Sequence, residues 1–325
     1  MRPALHILFV TNTYPTAMKP GDSPQIRDQI EALKLRGVNV DMIFIDRHIT
    51  KWNYARAAWK IFLLSFQERR YDLIHAYYGH CGFLALLQFS YPVVTTFLGS
   101  DLLHPRDGAI GKVAARFANG IIVQSEEMRR VVKREDICII PFGVNLNLFT
   151  PSPKQEARQE LGFNTTEKLV LFPWDPERPV KRYDVIQESI QIVQQRYNDV
   201  RIVSVYDRPH AIIARYMSCC DVMVLASDHE GSPMAVREAM ACNLPIVSVD
   251  VGDVRQIIEN VEGCYLCERE PGDIAEKVMW VFEQDRRTEG ARFIRQIDAD
   301  WCADQVLVLY DAILESSSGR RRLAV

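Results

Sequence analysis

The chain has 325 residues, is 48% hydrophobic and carries a formal net charge of -3. That length suffices for two domains with separate cores, and the near-neutral balance leaves no basic footprint for a nucleic-acid partner. No apolar run reaches spanning length, the opening MRPALHILFVTNTYP reads as one short strand rather than a signal peptide, and the scattered cysteines suit a reducing compartment; a cytoplasmic protein is expected.

In the first half, up to residue 149, short apolar runs at 5–10, 38–45, 72–77, 92–97, 120–123 and 137–141 alternate with helical patterns. The alternation predicts a parallel sheet wrapped by helices. The first strand leads into a loop over 11–22 that holds Pro15, Pro20 and Gly21. A helix follows, with Ser23 as its cap, Pro24 in first position, Ile26, Ile30 and Leu33 on one face, and Gly37 at its close. Ligands gather at the carboxyl ends of strands in such sheets, which makes this loop a candidate ligand contact, although it is no G-x-G-x-x-G fingerprint.

Residues 51–70, KWNYARAAWKIFLLSFQERR, set Trp52, Ala55, Trp59, Phe62, Leu63 and Phe66 at helical spacing, with Lys51, Arg56, Lys60, Arg69 and Arg70 on other faces. Two readings stand side by side. One is an amphipathic helix packed on the sheet with its charges solvated; the other is a helix that rests on an anionic membrane or meets a lipid-linked acceptor. His75 falls inside a strand and reads as structural, whereas His80, at the strand-to-helix turn, is better placed for a ligand.

The alternation resumes in the second half with runs at 169–172, 200–205, 221–225, 245–249 and 263–266. After the first run comes PWDPERPVKRYDV, where Arg178, Lys181 and Arg182 offer cations at a sheet edge. Residues 221–254 read as strand, loop, helix, strand, with Ser232 as helix N-cap, Pro233 at the first helical position and Asn243 at the end. A helix start favours a diphosphate through its unpaired N–H groups and dipole. Glu230 before the helix and Glu238 inside it stand ready to accept hydrogen bonds from hydroxyls on either side; a solvated loop acid and a surface helix acid are the bland alternative. Cys264 and Cys267 form a lone C-x-x-C with no partner pair for zinc. Asp298 and Asp300 read as a helix cap rather than a metal-binding D-x-D.

Glu230-Gly-Ser-Pro233, Glu238-Ala-Met-Ala241 and Pro245-Ile-Val247 together resemble the E-x7-E signature of family 4 glycosyltransferases. The resemblance implies the α/β GT-B fold: two Rossmann-like domains facing across a cleft, an acceptor domain over 1–149, a donor domain over 150–300, and a terminal helix at about 301–325 returning to the first domain. It implies a retaining, metal-independent transferase without a cofactor. A nucleotide-sugar donor would meet Glu230 at the sugar, Glu238 at the ribose, Gly231, Ser232, Pro233 and Met234 at the diphosphate, and Gly21 from the first domain. Lys181 and Arg178 would meet the leaving diphosphate. The acceptor would be a glycan, a lipid-linked or a small molecule, in polysaccharide or glycoconjugate synthesis. The segment TTFLGSDLL resembles the family's Thr-Phe-His-Gly-x-Asp, with Asp101 retained as an orienting acid and Leu98 where many members carry His. That departure keeps alternatives open: an epimerase or phosphorylase on the same fold, or a non-catalytic assembly subunit.

Overall fold

The computed structural model describes residues 4–46, 49–50, 52–104 and 107–322. The chain divides into two compact units, one of residues 1–15, 22–143 and 299–325, the other of 16–21 and 144–298. The boundary therefore falls at Gly143/Val144 rather than at 149, and the segment Thr16–Gly21 groups with the second unit.

The first unit runs β1 (His6–Thr11), α1 (Pro24–Leu35), β2 (Asn39–Phe44), α2 (Trp52–Leu63), β3 (Leu73–Tyr77), α3 (Gly79–Ala85), β4 (Val93–Thr96), α4 (Ser100–Leu103), α5 (Asp107–Phe117), β5 (Gly120–Val123), α6 (Glu126–Val131) and β6 (Ile137–Ile139). The second runs α7 (Lys154–Leu161), β7 (Lys168–Phe172), α8 (Tyr183–Gln194), β8 (Val200–Ser204), α9 (His210–Cys219), β9 (Val222–Leu225), α10 (Met234–Ala241), β10 (Ile246–Val249), α11 (Val254–Ile258), β11 (Tyr265–Cys267), α12 (Pro271–Gln284) and α13 (Gly290–Ile294). A last helix, α14 (Ala299–Arg322), packs on α1 of the first unit.

Both sheets are parallel throughout, in the orders β2-β1-β3-β4-β5-β6 and β11-β10-β9-β7-β8. Parallel strands covered on both faces read as unbroken apolar runs, because alternate side chains enter different cores. In β7, Leu169 and Leu171 join one core while Val170 and Phe172 join the other; Met223 and Leu225 of β9 likewise part from Val222 and Val224. Each sheet has a point where strand order reverses, between β1 and β3 and between β7 and β9. Loops leaving two strands at such a point diverge and open a crevice for a ligand.

Two local expectations are corrected. Ser23 stands before α1 in the left-handed region at φ 54° and caps nothing; its hydroxyl meets Thr13 Oγ1 at 2.8 Å. The aromatic stripe of α2 is not the face that meets the sheet. Ala57 and Ile61 are buried there, with Tyr54 and Leu64 partly so, and Trp52, Trp59 and Phe66 stand in solvent. The helix ends at Leu63, a single 3-10 turn follows at Leu64–Phe66, and Lys51 lies outside the described residues.

The terminal helix is tied down by polar contacts. Arg36 at the end of α1 bonds Asp300 at 2.8 Å and Asp304 at 2.5 Å, and Tyr310 Oη reaches His75 Nδ1 at 2.5 Å. Asp298 directly precedes the helix, which starts at Ala299.

Candidate functional site

The reversal point of the second sheet gathers the residues that carry chemistry. The loop after β7 brings Trp174, Arg178 and a 3-10 turn at Pro179–Lys181; the loop after β9 brings Glu230, Gly231 and Ser232 to the start of α10. A backbone bond from Asp228 N–H to Val180 O, 2.9 Å, ties one loop to the other.

Lys181 is the centre of this arrangement. Its side chain is 6% exposed, its Nζ sits 4.5 Å from the Trp174 ring centroid, and it donates to Glu230 Oε1 at 2.5 Å. Burial pushes the lysine pKa below its ordinary value; the Glu230 carboxylate pulls it back up, and Arg178 lowers it further. Arg178 itself is exposed at the mouth of the turn. Arg182, the rival cation, is engaged elsewhere: its guanidinium meets Asp184 at 2.9 Å and Asp228 at 3.3 Å.

The helix start differs from expectation by one residue. α10 begins at Met234, Pro233 occupies the cap position with extended dihedrals, and Ser232 lies outside the helix. Its hydroxyl caps nothing, because it donates to Asp253 Oδ2 at 2.9 Å and accepts from Arg237 Nη2 at 3.1 Å. Arg237 and Asp253 are themselves an ion pair, 3% and 7% exposed. Gly252, at φ 59°, lies so close that a Cβ there would stand 3.0 Å from Gly231 O and 3.1 Å from Glu230 O. The loop is thus held from behind. Among the described residues no acceptor reaches the backbone N–H of Gly231, Ser232, Met234 or Ala235, which leaves the N-terminal donors of α10 available to an anion.

Glu238 is not the surface acid of the bland alternative. It is 5% exposed, and His210 Nε2 at the start of α9 lies 3.3 Å from its Oε1. Phe149 packs edge-on against that imidazole with centroids 5.1 Å apart. Gly21 sits in the segment that joins the second unit. Its N–H donates to Asp207 Oδ1 at 3.4 Å, and a Cβ would stand 2.9 Å from Asp207 Cα.

Asp101 is an orienting acid whose partners are backbone groups. It is fully buried in the first unit, and its carboxylate accepts the N–H of Leu98 at 3.0 Å, of Gly99 at 2.8 Å and of Gly79 at 2.9 Å. Burial raises its pKa to about 6 against the lowering effect of those bonds. Fully buried, with both oxygens accepting backbone donors from two turns, it positions the β3–α3 and β4–α4 connections.

A family profile described as Glycosyltransferase Family 4 matches residues 16–148, and one described as Glycosyl transferases group 1 matches 184–284. The chain belongs to family 4 of the glycosyltransferases. It is 24% identical over 315 residues to a D-inositol 3-phosphate glycosyltransferase of Geodermatophilus obscurus, covering 78% of this chain and 69% of that one. It is 24% identical over 238 residues, 63% of each chain, to the N,N'-diacetylbacillosaminyl-diphospho-undecaprenol alpha-1,3-N-acetylgalactosaminyltransferase of Campylobacter jejuni. Among solved structures, Anabaena Alr3699/HepE in complex with UDP superimposes with a TM-score of 0.70 at 19% identity, over 95% of this chain and 100% of that one. The shared architecture is GT-B, and the two sheets described above are its two Rossmann-like halves.

For this glycosyltransferase, reading the sequence missed Trp174, His210, Arg237 and Asp253. Arg237 carried a signal, being a lone cation on a helix otherwise rich in Ala, Met and Val. The other three enter through the fold alone, since each reaches its partner from a different loop or helix.

Proposed function

We propose that the second unit binds a nucleotide-sugar and that the enzyme transfers the sugar with retention of its anomeric configuration. The diphosphate lies against the N–H groups at the start of α10, from Gly231 to Ala235, beside Pro233 and Met234. Glu230 accepts hydrogen bonds from the sugar hydroxyls and Glu238 from the ribose, with His210 fixing the Glu238 carboxylate. Gly21, held on Asp207, approaches the donor from its own loop. The observation that carries the reading is the pairing of buried Lys181 with Glu230 next to helix-start donors that meet no acceptor among the described residues. In this reading the cation serves the leaving oxygen and the carboxylate serves the sugar hydroxyls.

As the glycosidic C–O bond lengthens, negative charge collects on the departing diphosphate. Lys181, Arg178 and the helix start meet it in a low-dielectric setting, without a metal ion or cofactor. The acceptor hydroxyl attacks from the face the diphosphate leaves, and the departing phosphate oxygen takes its proton. The relatives' names point to polyol phosphates and lipid-diphosphate saccharides as acceptor chemistry. A hydroxyl of a glycan, lipid-linked or small polyol acceptor is the corresponding substrate here.

A thermal-shift screen against UDP-, GDP-, ADP- and TDP-sugars identifies the donor, because a ligand bound to the native state alone raises the melting temperature by mass action. The shift is expected to shrink sharply in Glu238→Ala. Product NMR should give the donor's own anomeric configuration, and turnover should persist in EDTA. An inverted product would overturn the mechanism, and the absence of any shift with all four donors would overturn the site.

A further inference from the structure

No described helix is long and apolar enough to cross a membrane. The first unit nonetheless shows an unusual face. Trp59, Phe62, Phe66 and Phe89 form an unbroken chain of ring contacts, with centroids 6.0, 5.3 and 5.8 Å apart in that order. These rings are not core: Trp59 is 61% exposed, Phe66 67% and Phe89 74%. The helix that carries the first two has a separate buried face at Ala57 and Ile61, so the aromatic row is surplus to packing. Soluble proteins seldom leave joined apolar surface of this sort in water unless something covers it.

The surrounding charge says what covers it. Arg56 and Lys60 are exposed on the same helix, and Arg69 follows it, with Glu68 as the one acid between 52 and 70. Arg69 donates to the Ser90 carbonyl and lies 5.6 Å from the Tyr91 ring, which pins the loop bearing Phe89 beside Phe66. Arg70 is held by Asp41 at 2.9 Å and contributes less. Large rings that tolerate both oil and water, bordered by cations, match the interfacial layer of an anionic bilayer.

We infer that this face of the first unit docks the enzyme on an anionic membrane surface, with Trp59, Phe62, Phe66 and Phe89 entering the headgroup region and Arg56 and Lys60 meeting lipid phosphates. The inference stands apart from the donor site and does not depend on it. Docking would bring a lipid-borne acceptor and the enzyme into the same plane.

The test uses the full chain and vesicle co-sedimentation, with no turnover involved. Vesicles of phosphatidylcholine containing phosphatidylglycerol should retain the protein, and vesicles of phosphatidylcholine alone should retain much less. High salt should weaken the retention. Trp59→Ser/Phe66→Ser should lower retention roughly tenfold or more, with an unchanged melting temperature because both side chains are exposed. Arg56→Glu/Lys60→Glu should lower it at least about fivefold per charge and abolish the preference for the anionic lipid. Phe89→Ser, outside the helix, provides a second apolar variant should the first prove unstable. Wild-type protein that ignores anionic vesicles would overturn the proposal, as would aromatic variants that bind like wild type. A concentration-dependent oligomer lost in the aromatic variants, with no vesicle binding, would assign the face to self-association instead.

Discussion

Two turns in this molecule share a pattern and differ in what they do with it. In the first unit Leu98-Gly99-Ser100-Asp101 leads from β4 into α4; in the second Glu230-Gly231-Ser232-Pro233 leads from β9 into α10. The acid of the first turn folds back and takes the N–H groups of Leu98 and Gly99 on its own carboxylate. The acid of the second precedes the glycine and points to Lys181, and among the described residues the N–H groups of Gly231 and Ser232 meet no acceptor. One turn is closed by its own sequence and the other is held open by outside braces, Gly252, Asp253 and Arg237. An acid after the glycine takes up the turn's own N–H groups; an acid before it does not.

The comparison is broken most directly at the open turn. Glu230→Gln or Lys181→Ala should lower kcat by about 10²–10³, measured as sugar transfer with the donor found by thermal shift. The fold should remain intact by circular dichroism. If either variant turns over at the wild-type rate, the open turn is not the reacting site.

At the closed turn the effect should fall on stability and not on chemistry. Asp101→Asn places an amide donor against backbone N–H groups, at a cost of about 1–3 kcal/mol for a buried group left unsatisfied, read by urea unfolding. The remaining folded protein should transfer sugar within a few fold of wild type. The folded pKa, raised to about 6, means that protonation favours the native state, so wild-type stability from this group is fullest below pH 3.8 and is lost as pH rises through 6. The gap between wild type and variant should therefore be wider at pH 4 than at pH 7.

A second buried group of the first unit titrates with the opposite sign. His75, fully buried between Tyr310 and Thr96, has its pKa lowered to about 3 by desolvation. Its contribution is present above pH 6.5 and is lost as pH falls toward 3. Relative to His75→Gln, wild type should lose about 2 kcal/mol between pH 7 and pH 5. Hydrogen exchange in α14 should rise over the same range, since Tyr310 ties that helix to His75.

The smallest effect concerns the braces. Ser232→Ala removes one hydrogen bond from the Arg237–Asp253 pair and should cost about 1 kcal/mol, seen as a raised KM for the donor with kcat nearly unchanged. A change confined to kcat would place the Ser232 hydroxyl on the substrate instead.

The primary structure by itself determined the α/β alternation, since each buried strand had to be a short apolar run. Glu230, Lys181 and Glu238 it marked only through the resemblance of their flanking residues to the family's signature. It read Ser232 as a cap because a serine before Pro233 satisfies the local rule for a helix start; only the approach of Asp253, from the next crossover, diverts that hydroxyl. Asp101 was singled out by the resemblance of its segment to the family's; its burial and its third donor, Gly79 of the preceding crossover, enter only with the fold. The tertiary structure alone decided which face of α2 meets the sheet. Spacing shows that a stripe exists, but burial depends on which neighbours arrive. At Ala57 and Ile61 the sheet accepts small and branched side chains, and the rings are left outside.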